Sequence, residues 1–303
     1  MRTPALIIGI IITSCSSILH ILGIYLLNEV HRGTGRKVDN ILLINLAISE
    51  LLLSVGCMSR NVALLFSNSD NDFAAKVSIF LEMLYYTCFT FAYYSFMVYI
   101  PTFRCIKILL GFRSMNLLSN SRARILSNVT WIFSVFGGVV FIALYYIIKF
   151  DFMNVLFIYF YPTINSTMII IFTTTYILIY KKFKRSENAG RSTLHRRATN
   201  SKFYIPTLLI VSFFVFTIIP DITVLIYSIV LKRESKTLYF VCIIMYNLSL
   251  IVDAIIYIFI PRVVRELLLR KVRRFFGYKI PISTRDKSTN SQAGCSQEQV
   301  YCA

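Results

Sequence analysis

The chain has 303 residues, of which 56% are hydrophobic, and a formal net charge of +18 at pH 7. A soluble domain of this size buries its core without being so apolar throughout, so the composition indicates a membrane protein. The basic charge could suggest nucleic-acid binding, but its clustering argues against that function. Twenty-five of the 32 Lys and Arg residues lie in four segments, which are 29–40, 104–124, 181–202 and 262–303.

Seven apolar runs fill the first 260 residues, and each reaches the ~20 residues that a helix needs to cross a bilayer. Backbone groups in hydrocarbon must be hydrogen-bonded within the protein, so the runs are predicted to be helices. We number them spans 1 to 7 in chain order. They cover roughly 5–28, 41–66, 77–103, 125–148, 153–180, 203–231 and 237–260.

The four basic segments predict the orientation, because excess Lys and Arg marks the cytoplasmic side. The N-terminus is therefore expected outside and the C-terminus inside, in a multi-pass protein of the plasma membrane. The basic charge would face anionic lipid of the inner leaflet.

The sequence thus predicts an all-α membrane protein in three parts. Residues 1–261 would form a seven-transmembrane helix bundle. In residues 262–278 apolar side chains recur at helical spacing with Arg and Lys between them, which predicts an amphipathic helix on the inner surface. Residues 279–303 are polar and are expected to form a disordered cytoplasmic tail.

Five of the spans carry motifs, and their order and intervals are informative together. These are Asn45-Leu46-Ala47-x-x-Glu50 in span 2, Trp131-x-x-Ser134 in span 4, Pro162 in span 5, Phe214-x-x-x-Ile218-x-Pro220 in span 6 and Asp253-Ala254-x-x-Tyr257 in span 7. Over residues 5–276 the chain resembles the rhodopsin-like (class A) G-protein-coupled receptors, as a divergent member. It departs from the family in lacking the acid before Arg104, the tyrosine after it, the span-6 tryptophan and the usual outer disulfide.

The resemblance implies a polar core site made of Glu50, Tyr93, Ser249 and Asp253. Two carboxylates close together resist double ionisation, so Glu50 and Asp253 are expected to share a proton or to hold a sodium ion. Tyr93 replaces a serine of the family and crowds the sodium position, which favours the proton. No other cofactor is expected.

The resemblance also implies a ligand pocket in the outer half of the bundle, lined by Arg60, Glu82, Tyr86, Thr90 and Asp221. Either Arg60 and Glu82 neutralise each other and Asp221 is the free charge, or Arg60 anchors a carboxylate or phosphate. Alternatively, the Arg–Glu pair is purely structural. The short outer loops favour a small-molecule or lipid ligand, and Tyr86 stands where amine receptors carry an aspartate.

At the inner face the resemblance assigns coupling to a heterotrimeric G protein to Arg104 and Tyr257. His20, the single histidine within the predicted spans, is expected to be a packed neutral residue. No enzymatic motif is evident, so an enzyme is not expected. The alternatives are a membrane channel or carrier, or a receptor-like protein with weak or no G-protein coupling.

Overall fold

The computed structural model describes residues 2–33, 38–66, 72–110, 119–148, 161–188, 208, 211–220, 222–223, 226 and 236–276. These residues are helical almost throughout, and no strand occurs among them. The helices are α1 (Arg2–Gly33), α2 (Val38–Phe66), α3 (Asp72–Leu84), α4 (Thr90–Leu110), α5 (Asn120–Ile148), α6 (Tyr161–Asn188), α7 (Lys236–Phe259) and α8 (Arg262–Phe275). Two π-helical segments, π1 (Tyr85–Phe89) and π2 (Phe214–Ile218), complete the set.

Four helices in this part of the chain are long and apolar enough to cross a membrane. They are Leu6–Arg32, Val38–Phe66, Asn120–Leu144 and Thr163–Lys182, and a shorter apolar helix covers Ile244–Ile256. The prediction of a helical, membrane-embedded protein is therefore confirmed. The polar tail predicted over 279–303, and most of span 6, lie outside the described residues.

The helices extend beyond the apolar runs that predicted them. Helix α1 continues past residue 28 to Gly33, and α5 begins at Asn120 rather than at residue 125. Hydropathy detects only the part of a helix that needs hydrocarbon around it, whereas intrahelical hydrogen bonds stay favourable in the headgroup region. His31 and Arg32 lie in the last turn of α1, where a positive side chain such as that of Arg32 interacts favourably with the helix dipole.

Span 3 is one continuous helical stretch of α3, π1 and α4, from Asp72 to Leu110. The π turn shifts the hydrogen-bond pattern, and the Thr90 backbone N–H bonds to the Tyr85 carbonyl. Helix α5 packs closely on π1: a Cβ on Gly138 would overlap the Cys88 sulfur, so only glycine allows this approach. Pro101 is buried within α4 and removes one helical hydrogen bond there.

Helices α1 and α2 pack as an antiparallel pair, and their contacts fix the register of the polar core. Ser16 Oγ and Ser54 Oγ lie 2.8 Å apart. One turn further along α1, His20 faces Glu50. Helix α2 also contacts α3, α4, α5 and α7, whereas α1 also contacts α7 and α8. The face of α2 that packs on these helices is thus at the centre of the described bundle.

The outward faces of α1 and α5 carry large exposed apolar side chains, as expected of surfaces that meet lipid rather than water. On α1 they include Ile11, Ile18 and Ile21, and on α5 Phe133, Phe136 and Ile147. The buried faces of the bundle carry the polar residues instead.

Helix α8 follows α7 after a sharp break at Ile260 and Pro261. Proline has no N–H to continue α7, and its fixed φ of −65° suits the residue preceding a new helix. Val264 is buried, while Phe275 is 86% exposed. Lys271 Nζ lies 2.7 Å from Glu29 Oε2 and 2.8 Å from the Tyr25 hydroxyl, which fastens α8 to α1.

Candidate functional site

Three ionisable side chains meet in the interior of the bundle, one each from α1, α2 and α7. His20, Glu50 and Asp253 are all 0% exposed. His20 Nδ1 lies 3.4 Å from Glu50 Oε2, and Glu50 is a close neighbour of Asp253. His20 is also close to the backbone of Leu250, one turn before Asp253 on α7. We call His20, Glu50 and Asp253 the core triad.

Two hydroxyl groups complete the surroundings of the Asp253 carboxyl. The Tyr93 hydroxyl donates to Asp253 Oδ2 at 3.3 Å, and Ser212 lies beside the same carboxyl. Tyr93 comes from α4, and Ser212 precedes π2 by two residues. The core triad therefore joins α1, α2 and α7 to the helical stretches that follow π1 and precede π2.

Aromatic packing holds the Tyr93 hydroxyl in place. The Tyr93 ring lies 5.5 Å from the Tyr94 ring and 6.4 Å from the Phe213 ring, between centroids. Phe213 in turn meets Phe172 of α6 edge to face at 5.9 Å. Tyr93 is 0% exposed, so its hydroxyl has little freedom to choose another acceptor.

The electrostatics of the core triad follow from its burial. A net charge in a medium of low dielectric constant is strongly unfavourable unless a nearby opposite charge or a bound proton compensates it. Two carboxyl groups and one imidazole can reach zero net charge by sharing two protons among them. The arrangement is therefore suited to holding and relocating protons. No group of three or more His, Cys, Asp or Glu among the described residues is placed to hold a metal ion.

Of the four residues predicted for the polar core, the structure brings three together: Glu50, Tyr93 and Asp253. Ser249 is buried on α7, but its hydroxyl donates to the Tyr246 carbonyl at 2.7 Å. Serine in a helix commonly makes this bond to its own backbone, which sequence spacing cannot reveal.

The predicted ligand pocket can be located only in part. Arg60 is partly buried near the outer end of α2, next to the buried Asn61. Thr90 is buried, and its hydroxyl donates to the Tyr85 carbonyl at 3.2 Å, which leaves it an acceptor for any ligand. The side chains of Glu82 and Tyr86, and all of Asp221, lie outside the described residues.

At the end of the bundle where α2 begins and α4 ends, an acid on α2 faces two cations on α4. Lys107 Nζ lies 2.6 Å from Asp39 Oδ1, and Asp39 is also close enough to act electrostatically on Arg104. The acid that the family motif carries directly before Arg104 is absent, so Asp39 provides negative charge from a different helix. The backbone of Tyr257 belongs to α7, and its side chain is outside the described part of the chain.

Two residues that carry the family resemblance are in direct contact. Trp131 Nε1 on α5 donates to Asn45 Oδ1 on α2 at 2.9 Å, and Asn45 Nδ2 donates to the Ile41 carbonyl at 2.8 Å. The amide of Asn45 thus bridges its own helix and the only tryptophan of the chain.

Sequence reasoning missed the role of His20. A lone histidine on an apolar helix is usually a packing residue, and the spacing of its neighbours is the signal that could have identified it. Thr13, Ser16, Ser17 and His20 recur every three or four residues in span 1, and all four are buried. A polar stripe in a spanning helix marks the side that faces the bundle.

A second missed residue is Asn247, one and a half turns before Asp253 on α7. It is 0% exposed, and neither its amide nitrogen nor its oxygen has a hydrogen-bond partner within the described residues. Thr217 of π2 is likewise buried. Helix α7 contacts π2, so both buried polar side chains belong to elements that pack against each other.

A scan against models of known protein families finds no match to this chain, and a search of curated proteins finds none either. The class that the structure itself defines is an all-helical, membrane-embedded protein with ionisable groups enclosed among its helices.

Proposed function

We propose that this protein is a divergent rhodopsin-like receptor with seven spans, located in the plasma membrane with its N-terminus outside. It senses a small-molecule or lipid ligand and signals to a heterotrimeric G protein. The observation that carries the proposal is the meeting of Glu50, Tyr93 and Asp253, three of the four residues of the predicted polar core site, in one buried cluster. Ionisable groups within a membrane are costly and mark functional sites by default.

The contact between Asn45 and Trp131 supports the same interpretation, because it joins two further motif positions in spans 2 and 4. The resemblance thus extends from isolated sequence matches to side chains that pack against each other.

The mechanism we infer is a shift between two packings of the helices. A ligand that binds one packing more tightly than the other shifts the equilibrium by its difference in affinity. The segments π1 and π2 lie in spans 3 and 6, and π turns are places where a helix changes register or direction at modest cost. The core triad lies between these spans and α1, α2 and α7, so rearranged packing changes its hydrogen bonds.

Recognition of ligand is placed in the outer half of the bundle, with Arg60, Glu82, Tyr86, Thr90 and Asp221 as the facing residues. Arg60 or Asp221 would pair with a charged group of the ligand, and aromatic residues would surround its apolar part. A receptor response is thus expected to a ligand with one or two charged groups.

Coupling is tested by a ligand screen with a promiscuous G protein and a second-messenger readout. Arg104→Ala should abolish the response at unchanged surface expression. Arg124→Ala is the matched control, because Arg124 is an exposed arginine near the same end of the bundle on α5. A current or a solute flux without second messengers would instead identify a channel or carrier.

Orientation is tested separately. A tag before Met1 should be labelled on intact cells, and a tag after Ala303 only after permeabilisation. The opposite labelling pattern would rule out a receptor of this type.

A further inference from the structure

The core triad contains one more ionisable group than the predicted carboxylate pair. His20 Nδ1 is 3.4 Å from Glu50 Oε2, and both side chains are 0% exposed. The imidazole is also close to α7, at the backbone of Leu250. The His20 imidazole lies on the side of Glu50 that faces α1, within hydrogen-bonding reach of a carboxylate oxygen.

The charge balance of the site depends on this histidine. Two ordinary carboxylic acids, with pKa values near ~4 in water, would tend to lose at least one proton at neutral pH. The remaining negative charge would then need a cation, since it lies in a medium of low dielectric constant. An imidazole in contact with the carboxylate provides a third place for the protons, and the three groups titrate as one unit.

We propose that His20, Glu50 and Asp253 form a single proton-holding site, in which the imidazole keeps the site neutral and removes the need for a sodium ion. Two protons distributed over the three groups give zero net charge, whether the imidazole is charged beside one carboxylate or neutral beside two carboxylic acids. The imidazole is tethered to α1, so its effective concentration at Glu50 far exceeds that of a dissolved cation.

The groups around the triad fit this assignment. The Tyr93 hydroxyl on α4 donates a hydrogen bond to Asp253, and Ser212 lies beside the same carboxyl. Tyr246 of α7 lies near enough to Tyr93 to interact with it electrostatically. These neighbours are neutral hydroxyl groups at physiological pH. Within this set of contacts, His20 is the basic group that can balance the two acids.

The experiment measures the thermal unfolding midpoint of the purified full-length protein in sodium chloride and in N-methylglucamine chloride at equal ionic strength and neutral pH. Wild-type protein should unfold at the same temperature in both salts. His20→Ala and His20→Asn should each be stabilised by sodium, with a midpoint higher by about 3 °C or more, because the acids then need an external cation. Adding Glu50→Gln and Asp253→Asn to His20→Ala should remove that response, because no acid of the core triad then remains to need a cation.

His31→Ala is the matched control, since His31 is the other histidine of α1 and lies at its inner end. It should remain insensitive to sodium. Should His20→Ala not fold, His20→Asn decides, because asparagine keeps a hydrogen-bonding side chain but binds no proton.

The proposal is overturned if sodium stabilises the wild-type protein as much as the His20 variants, or if a folded His20 variant shows no response to sodium. Neither ligand nor G protein enters the measurement. A negative result would therefore leave the proposed receptor function standing, and a failed ligand screen would leave this site standing.

Discussion

Two sets of charged contacts join the helices, and they differ in their access to water. The core triad is wholly buried, whereas the Asp39 and Lys107 side chains at the inner end are 33% and 32% exposed. Lys107 Nζ and Asp39 Oδ1 are the closer pair, at 2.6 Å against 3.4 Å for His20 and Glu50. Distance alone therefore does not decide which contact has the larger interaction energy. Water screens the Lys107–Asp39 pair, whereas the low dielectric constant of the interior strengthens the interaction between His20 and Glu50.

The largest effect is expected at Glu50. Glu50→Leu leaves Asp253 and His20 buried without their partner, and removing one member of a buried charged group costs about 3–5 kcal/mol. Surface expression and the unfolding midpoint should both fall sharply. Glu50→Gln is the control, since the amide matches the protonated acid in size and hydrogen bonding and should be tolerated. Equal expression of the two variants would mean that the acids do not depend on each other.

A smaller loss is expected for Tyr93→Phe. The ring keeps its contacts with Tyr94 and Phe213, while the hydrogen bond to Asp253 is lost. Leaving one buried carboxylate oxygen without its donor costs roughly 1–3 kcal/mol. Tyr94→Phe, in the neighbouring ring, is the comparison variant, and each variant is measured against the wild-type protein. A Tyr93→Phe midpoint equal to that of the wild-type protein would show that the Tyr93 hydroxyl contributes nothing to the triad.

The outer-half charges should affect ligand potency rather than stability. Arg60→Ala and Asp221→Ala should each weaken potency at least tenfold, on the order of 1.4 kcal/mol, at nearly normal surface expression. Concentration–response curves beside surface labelling separate the two effects. Loss of expression in both variants, with unchanged potency in the remaining ones, would make these charges structural.

The Asp39–Lys107 pair should contribute less to the free energy of unfolding than the core triad does. Asp39→Asn and Lys107→Ala are each expected to lower the unfolding free energy by no more than about 1 kcal/mol, as is usual for partly exposed ion pairs. The difference from wild type should shrink in high salt, because salt screens exposed charges. A salt-independent loss of several kcal/mol would place this pair in the same category as the core triad.

The smallest effect is expected at Lys271, which lies at the surface. Its hydrogen bond to Glu29, and then that to Tyr25, raise the pKa of Lys271 above the ordinary 10.5. The stabilisation is therefore fully present below pH 10.5 and is lost only as pH rises through the higher folded-state value. Lys271→Met should change the unfolding midpoint least of all these variants, and equally at pH 6 and pH 9. A difference between those two pH values would assign the effect to another group.

Sequence reasoning succeeded where the length of apolar runs decides the structure. Backbone hydrogen bonding leaves a spanning segment no alternative to a helix, and four helices among the described residues are long and apolar enough to span a membrane. It also grouped Glu50 with Asp253 through the family resemblance, and the two are adjacent in the structure.

Sequence reasoning did not identify features that depend on contacts between distant parts of the chain. His20 becomes significant only when α1 packs on α2 in the observed register. Asp39 pairs with Lys107 across 68 residues, and no local pattern predicts that partner. The segments π1 and π2 have no distinguishing composition, since a π turn depends on how neighbouring helices pack.

The arrangement of the core triad has a consequence for the order of membrane insertion. Helices α1 and α2 are synthesised before α7, and each spanning charge is costly to leave in lipid alone. His20 and Glu50 both belong to the α1–α2 hairpin, so the acid can enter the membrane with its basic neighbour beside it. Asp253 is synthesised some 200 residues later and packs against His20 and Glu50, which are already in contact. Glu50 is therefore paired with a base throughout membrane insertion, before Asp253 is present.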